Sequence, residues 1–84
     1  FPYTTLFRSP GGIGTYEEAI EILSMRQLRQ TEKPLVFINT QGFYEGLHAN
    51  FAQMVKLKFA KPGILDMYAM VPDPQSALAY LFSH

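Results

Sequence analysis

Between two stretches of helical periodicity lies Leu35-Val36-Phe37-Ile38, four apolar residues with no polar position among them. A strand with one wet face alternates apolar and polar residues. An unbroken run bounded by turn signals instead wants both faces covered, as in a parallel strand between helices. The flanking patterns agree. From Thr15 to about Arg29, Tyr16, Ala19, Ile20, Ile22, Leu23, Met25 and Leu28 recur at spacings of three and four, predicting a helix with a wide apolar face. Thr31-Glu32-Lys33-Pro34 ends it, because proline holds the preceding residue extended. After the run, Asn39-Thr40-Gln41-Gly42 reads as a loop. A second helix follows from about Phe43 to Phe59, with Tyr44, Leu47, Phe51, Met54, Val55 and Lys58 near one face. Lys61-Pro62-Gly63 breaks it, Ile64 and Leu65 pack in the connection, and Met67 to Val71 is the next strand. Asp73 then caps a last helix with Pro74 at its first position, and Ala77, Leu78, Leu81 and Phe82 face inward. The order loop–helix–strand–helix–strand–helix predicts an α/β fold with a parallel sheet.

Composition narrows the function classes. The 84 residues carry seven Lys and Arg against seven Asp and Glu, a formal net charge of zero. This argues against a nucleic-acid or membrane-surface binder, both of which need a basic field. With no cysteine there is no disulfide framework, thiolate metal site or thiol nucleophile. His48 and His84 are too few and too far apart for a metal site, so no metal and no cofactor is expected. No apolar run approaches the ~20 residues of a membrane span, and no signal-peptide pattern opens the chain. The expectation is a soluble, cytoplasmic protein.

Chemistry concentrates in Pro10-Gly11-Gly12-Ile13-Gly14-Thr15-Tyr16-Glu17-Glu18. Glycines allow close backbone approach, and a helix start offers free N–H groups and a partial positive charge. Together they form a candidate phosphate site, with two carboxylates read as lying in the first helical turn. The stretch is not a Walker A loop, because Lys and Ser/Thr do not follow the last glycine at the required positions. It is not the dinucleotide fingerprint either, because Glu17 stands where the third glycine belongs. A tight turn is the bland alternative. Glu18 has two competing uses. Thr15-x-x-Glu18 reads as a capping box, while a carboxylate near a helix N-terminus is held ionised and suits a base or a stabiliser of positive charge.

The first nine residues, Phe1-Pro2-Tyr3-Thr4-Thr5-Leu6-Phe7-Arg8-Ser9, resemble the in-frame translation of a sequencing-library adapter. They are expected to be non-native, leaving residues 10–84 as one part of a single domain. The alternative is a native strand over Tyr3 to Phe7, which is rich in β-formers. Arg8 fits such a strand poorly if both its faces are buried.

Pro10 to Glu18 matches the Pro-Gly-Gly-x-Gly-Thr-x-x-Glu signature of the LONELY GUY (LOG) family, proteins that also carry the older label lysine decarboxylase. Gln27, the Lys33-Pro34 pair and the Asn39-x-x-Gly42-Phe43-Tyr44 loop resemble that family's second half, and the likeness runs to about Phe82. The resemblance implies the C-terminal half of a Rossmann-like parallel sheet flanked by helices. It also implies a homodimer when full length, and cleavage of the N-glycosidic bond of a nucleoside 5′-monophosphate to free base and ribose 5-phosphate. Cytokinin riboside monophosphate and, in some members, AMP are the implied substrates. By position, Gly11, Gly12, Gly14 and Thr15 would bind the 5′-phosphate. Glu18 would be the catalytic carboxylate, steadying an oxocarbenium-like transition state or its attacking water, in analogy with glycoside hydrolysis. The family's catalytic arginine, in a Met-x-x-Arg-Lys segment, and a first glycine-rich loop precede this motif, and neither occurs in this sequence. The 84-residue polypeptide is therefore expected to be inactive, and the full-length product a hydrolase.

Two rivals remain open. One is a non-catalytic nucleotide- or cofactor-binding Rossmann-like module that shares the glycine loop. The other is a purely structural fragment whose Glu18 serves only the capping box. His48 reads as a surface or packing residue, Lys56, Lys58 and Lys61 as a solvated helix end, and Tyr44, Phe51 and Met54 as core or dimer contact. Arg26 and Arg29 could face a partner subunit.

Overall fold

The structure, a computed structural model, describes residues 5–31 and 34–83. Glu32 and Lys33 of the helix-stop signal, Tyr3 of the alternative strand and His84 lie outside the described residues. Strand β1 is Leu6–Arg8, helix α1 Ile13–Gln27, strand β2 Leu35–Ile38, helix α2 Glu45–Lys56, strand β3 Tyr68–Val71 and helix α3 Pro74–Ser83. Short 3-10 turns at Thr40–Gly42 and Pro62–Asp66 precede α2 and β3. The three strands form one parallel sheet in the order β1-β2-β3, with Leu6 opposite Leu35 and Leu35 opposite Tyr68. This is the α/β arrangement of a partial Rossmann-like fold.

β2 is the centre, and all four of its residues are buried, as its unbroken apolar run requires. Leu35 and Phe37 join Ala19 and Leu23 of α1, Tyr44, and Phe51 of α2 in the main core. Val36 and Ile38 point to the opposite face by the two-residue period of a strand, where α3 contacts β2 and β3. Aromatic rings knit the main core: Phe37 lies 4.5 Å from Tyr44 and 5.5 Å from Tyr68, and Phe51 lies 5.6 Å from Tyr68, between ring centroids. Truncating the fully buried Phe37 to alanine would cost about 3–5 kcal/mol. His48 is half-buried, with Nδ1 2.6 Å from the Tyr68 hydroxyl, so it is a packing residue.

Several expectations change. The sheet has a strand before the glycine stretch, because Leu6–Arg8 fills the open edge beside β2. A short apolar segment can do this whatever its origin. α1 begins two residues earlier than predicted and α2 is shorter at both ends. Among the described residues of α3 only Ala77 is buried, while Leu78, Leu81 and Phe82 are exposed. The helix contacts β2 and β3, a narrow strip that leaves its other large apolar residues in the open.

α1 and α2 both end in a Schellman motif. In α1, Arg29 N–H donates to Arg26 O at 3.0 Å and Gln30 N–H to Met25 O at 2.8 Å. In α2, Lys58 N–H donates to Val55 O at 3.0 Å and Phe59 N–H to Met54 O at 2.8 Å. The residue after each cap is left-handed, with φ of 60° at Arg29 and 66° at Lys58. Glycine is the default there, and a side chain costs on the order of 1 kcal/mol. At the start of α3, Asp73 Oδ1 accepts the Ser76 N–H at 2.7 Å, the cap its sequence predicts. That hydrogen bond holds the Asp73 carboxyl below its ordinary range.

Candidate functional site

In a parallel α/β sheet the ligand crevice lies at the carboxyl ends of the strands. The glycine stretch occupies that position, joining the end of β1 to the start of α1. Gly12 is the N-cap, with φ −95° and ψ −159°, and its carbonyl accepts the N–H groups of Thr15 at 3.1 Å and Tyr16 at 3.3 Å. The N–H groups of Ile13 and Gly14 precede the first intrahelical donor and are free to bind an anion.

Gly11, Gly12 and Gly14 all have ordinary backbone angles; among the described glycines only Gly42, at φ +70°, is left-handed. Their use is space instead. A Cβ on Gly11 would collide with the Thr15 hydroxyl, so this glycine lets Thr15 pack against the loop. Gly12 and Gly14 have nothing within 4 Å of where a Cβ would stand. Both therefore present bare backbone to open space. Gly14 does so from inside a helix, where it is a poorer residue than alanine by roughly 0.5–1 kcal/mol.

The capping box does not form. Thr15 is the third helical residue rather than the cap, and no side chain caps α1. Glu17 and Glu18 accordingly lie beyond the first turn, which carries no acidic residue. Glu18 is four residues after Gly14 and so shares its face of α1. Its side chain is 66% exposed, and Oε2 lies 3.6 Å from the Nε of Arg8 on β1. The carboxylate therefore points along the crevice toward the sheet edge and not back at Thr15. The structure brings Gly12, Gly14, Thr15 and Glu18 together on the first two turns of α1, with Gly11 packed behind Thr15.

Two supports of this loop escaped the sequence reading. Tyr44, fully buried, donates its hydroxyl to the Ser9 carbonyl at 2.6 Å, tying the loop's entry to the core. Burial raises the Tyr44 phenol above its ordinary pKa; nearby Tyr16 adds to this and Arg8 opposes it. Asn39 organises the turn that delivers Tyr44. Its Oδ1 accepts the Tyr44 N–H and its Nδ2 donates to Glu45 Oε1, both at 2.7 Å. The Asn39-x-x-Gly42-Phe43-Tyr44 pattern was the available signal, but a ring aimed at Ser9, 35 positions away, leaves no periodic trace. Tyr44 and Phe51 are core residues and Met54 is half-buried against them. Phe43, 40% exposed, meets Tyr16 edge-on at 6.1 Å. Among the described residues no three His, Asp or Glu side chains could hold a metal ion, and no helix is long and apolar enough to cross a membrane.

A parallel α/β sheet with a glycine-lined helix start at the carboxyl end of a strand is the arrangement of a partial Rossmann-like fold. Within it, the family model described as "Possible lysine decarboxylase" matches residues 5–81. The chain belongs to this family, that of the LOG proteins. It is similar to two rice (Oryza sativa subsp. japonica) proteins named "Probable cytokinin riboside 5'-monophosphate phosphoribohydrolase", LOGL6 at 32% identity and LOGL2 at 31%. It is also similar to the Arabidopsis thaliana cytokinin riboside 5'-monophosphate phosphoribohydrolase LOG5, at 31% identity. Each similarity runs over 72 residues, 86% of this chain, and covers 29%, 30% and 32% of the three relatives respectively. The chain thus spans about a third of the length of these curated relatives.

Proposed function

We propose that the protein to which this chain belongs is a phosphoribohydrolase that cleaves the N-glycosidic bond of nucleoside 5′-monophosphates, cytokinin riboside monophosphate and AMP among them. The observation that carries this reading is the pairing of a bare helix start at Gly12 and Gly14 with the Glu18 carboxylate on the same face of α1. The 5′-phosphate binds the free N–H groups of Ile13 and Gly14, with Thr15 and Gly11 shaping the loop, and Glu18 stands over the ribose. As the C1′–N bond lengthens, positive charge grows on the sugar and the ionised Glu18 stabilises it. Water adds its oxygen to C1′; its proton leaves through solvent and the departing base takes one up. The products are free base and ribose 5-phosphate. The Glu18 side chain is two-thirds exposed and is placed as a carboxylate that faces growing positive charge.

The 84 residues lack a Met-x-x-Arg-Lys segment, and the isolated polypeptide is inactive under this proposal. The full-length protein acts as a cytoplasmic homodimer. Product analysis tests the reaction class: full-length protein given AMP releases adenine and ribose 5-phosphate in equal amounts. If AMP binds and is returned intact, the non-catalytic nucleotide-binding reading replaces this one.

A further inference from the structure

The chain's charge is neutral in sum and uneven in place. At the amino ends of the strands, opposite the glycine loop, lies an open depression of about 920 Å³ between the ends of α1 and α2 and the turn into β3. Arg26, Arg29, Lys58 and Lys61 line it, four of the seven Lys and Arg residues in the sequence. None of the described residues lining it is acidic. A 15-residue helix is about 22 Å long, so the depression is roughly that far from Gly12 and is a separate site.

Cations at helix C-termini usually serve the helix, completing its last carbonyls and opposing its dipole. Here backbone bonds already do part of this work. The Schellman motifs satisfy Met25, Arg26, Met54 and Val55 carbonyls with N–H groups from the backbone itself. Arg26 spends Nη1 on the Met67 carbonyl at 2.6 Å, fixing its guanidinium at the depression's wall. Arg29 and Lys58 occupy the two left-handed positions where glycine would be easier, and among the described residues neither they nor Lys61 has a carboxylate partner. Two cations thus line one cavity from left-handed positions that glycine would fill with less strain, and opposing the helix dipoles does not require them at those positions. The walls between them are apolar, from Val55, Ile64 and Met67, and the Phe59 ring at the rim is 82% exposed.

We propose that this depression is a second anion site, taking a ligand that carries a chain of phosphates. Four cations spread over two helix ends and a loop match several negative charges in a row better than one phosphate. The volume is that of a cofactor-sized ligand. Phe59 offers a face on which a base attached to that chain would stack.

The test is titration of the full-length protein with sodium tripolyphosphate, followed by amide chemical shifts and calorimetry. Tripolyphosphate shifts the amides of Arg29, Lys58, Phe59 and Ala60. The double variant Arg29→Gly/Lys58→Gly melts no lower than the parent, because glycine is at ease in both positions, yet binds at least about tenfold more weakly. Arg29→Asn/Lys58→Asn, which also tolerates the left-handed angle, repeats the loss. Lys56→Gln, which removes one exposed charge outside the depression, changes affinity by less than about twofold. ATP run in parallel identifies the source: tighter binding than tripolyphosphate assigns a nucleotide, and equal binding assigns the phosphate chain alone. The proposal is overturned if those amides do not move or if the double variants bind as the parent does. It is also overturned if Lys56→Gln costs as much, which would reduce the effect to net charge, or if a single-stranded oligonucleotide binds these residues more tightly than tripolyphosphate.

Discussion

Arg8 Nε stands 3.6 Å from Glu18 Oε2, an ion pair that joins the strand before the glycine stretch to the acidic residue after it. The separation is too long for a hydrogen bond, and the buried Nε has no hydrogen-bond partner among the described residues. Because Glu18 is largely solvated, the pair is worth little. Replacing Arg8 with methionine is expected to change unfolding free energy by less than about 1 kcal/mol in urea titrations. A loss of several kcal/mol would show that the pair holds β1 in place.

The origin of Arg8 is a matter for sequencing. We infer that Phe1–Ser9 derive from an adapter, so genomic reads across the locus should show a different sequence upstream of Pro10. Reads that run through these nine codons intact would make β1 a native strand. The family match begins at residue 5, within these nine residues.

Gly14 separates stability from function. Substituting alanine fills open space within a helix and should raise stability by roughly 0.5–1 kcal/mol. The added methyl stands on the face that the proposed phosphate approaches, so affinity for ribose 5-phosphate should fall in the same variant. A rise in both quantities would remove Gly14 from the binding surface.

Tyr44→Phe removes the hydroxyl that holds the Ser9 carbonyl and should cost about 1 kcal/mol in chemical denaturation. The wild-type pH profile carries the same information. Tyr44 and Tyr68 both have phenol pKa values raised by burial above the ordinary 10.0, so the folded state binds their protons more tightly than the unfolded state. Their contribution is fully present below pH 10 and is lost as pH rises from there through the folded values. Alkaline denaturation of Tyr44→Phe should therefore be shallower than that of the parent.

Asp73 has the opposite sign. Its carboxyl is held below the ordinary 3.8 by hydrogen bonds from Ser76. The stability it adds is present above that value and is lost as pH falls through the folded pKa. Asp73→Ala should lower helical circular dichroism at neutral pH and remove this acid-side loss. An unchanged acid limb would show that the cap is not formed in solution.

What was legible in the sequence follows from where the signal lies. Leu35–Ile38 announced a strand buried on both faces because burial on two sides leaves no polar position. Asp73-Pro74 announced a helix start because both residues act on their own backbone. The start of α1 was misplaced because Gly14 is a poor helix former, which made Thr15 look like the first cap; the capping box fell with that boundary. Leu78, Leu81 and Phe82 have helical spacing, but periodicity does not say how much sheet is there to cover them. Arg29 and Lys58 gave no hint of their left-handed angles, since only glycine marks such positions by identity. That a glycine-rich turn runs directly into a helix was legible from the motif. The Arg8 and Tyr44 contacts, which span the fold, were not.

In the proposed reaction Glu18 stabilises charge on the ribose. Full-length protein and its Glu18→Gln variant, assayed on AMP with adenine release followed over a range of substrate concentrations, test it directly. The account predicts kcat lower by at least about a hundredfold, with KM changed by little, because the interaction removed is made in the transition state and the phosphate loop is intact. Adenine release at the wild-type kcat would contradict the account and leave Glu18 no part in the chemistry.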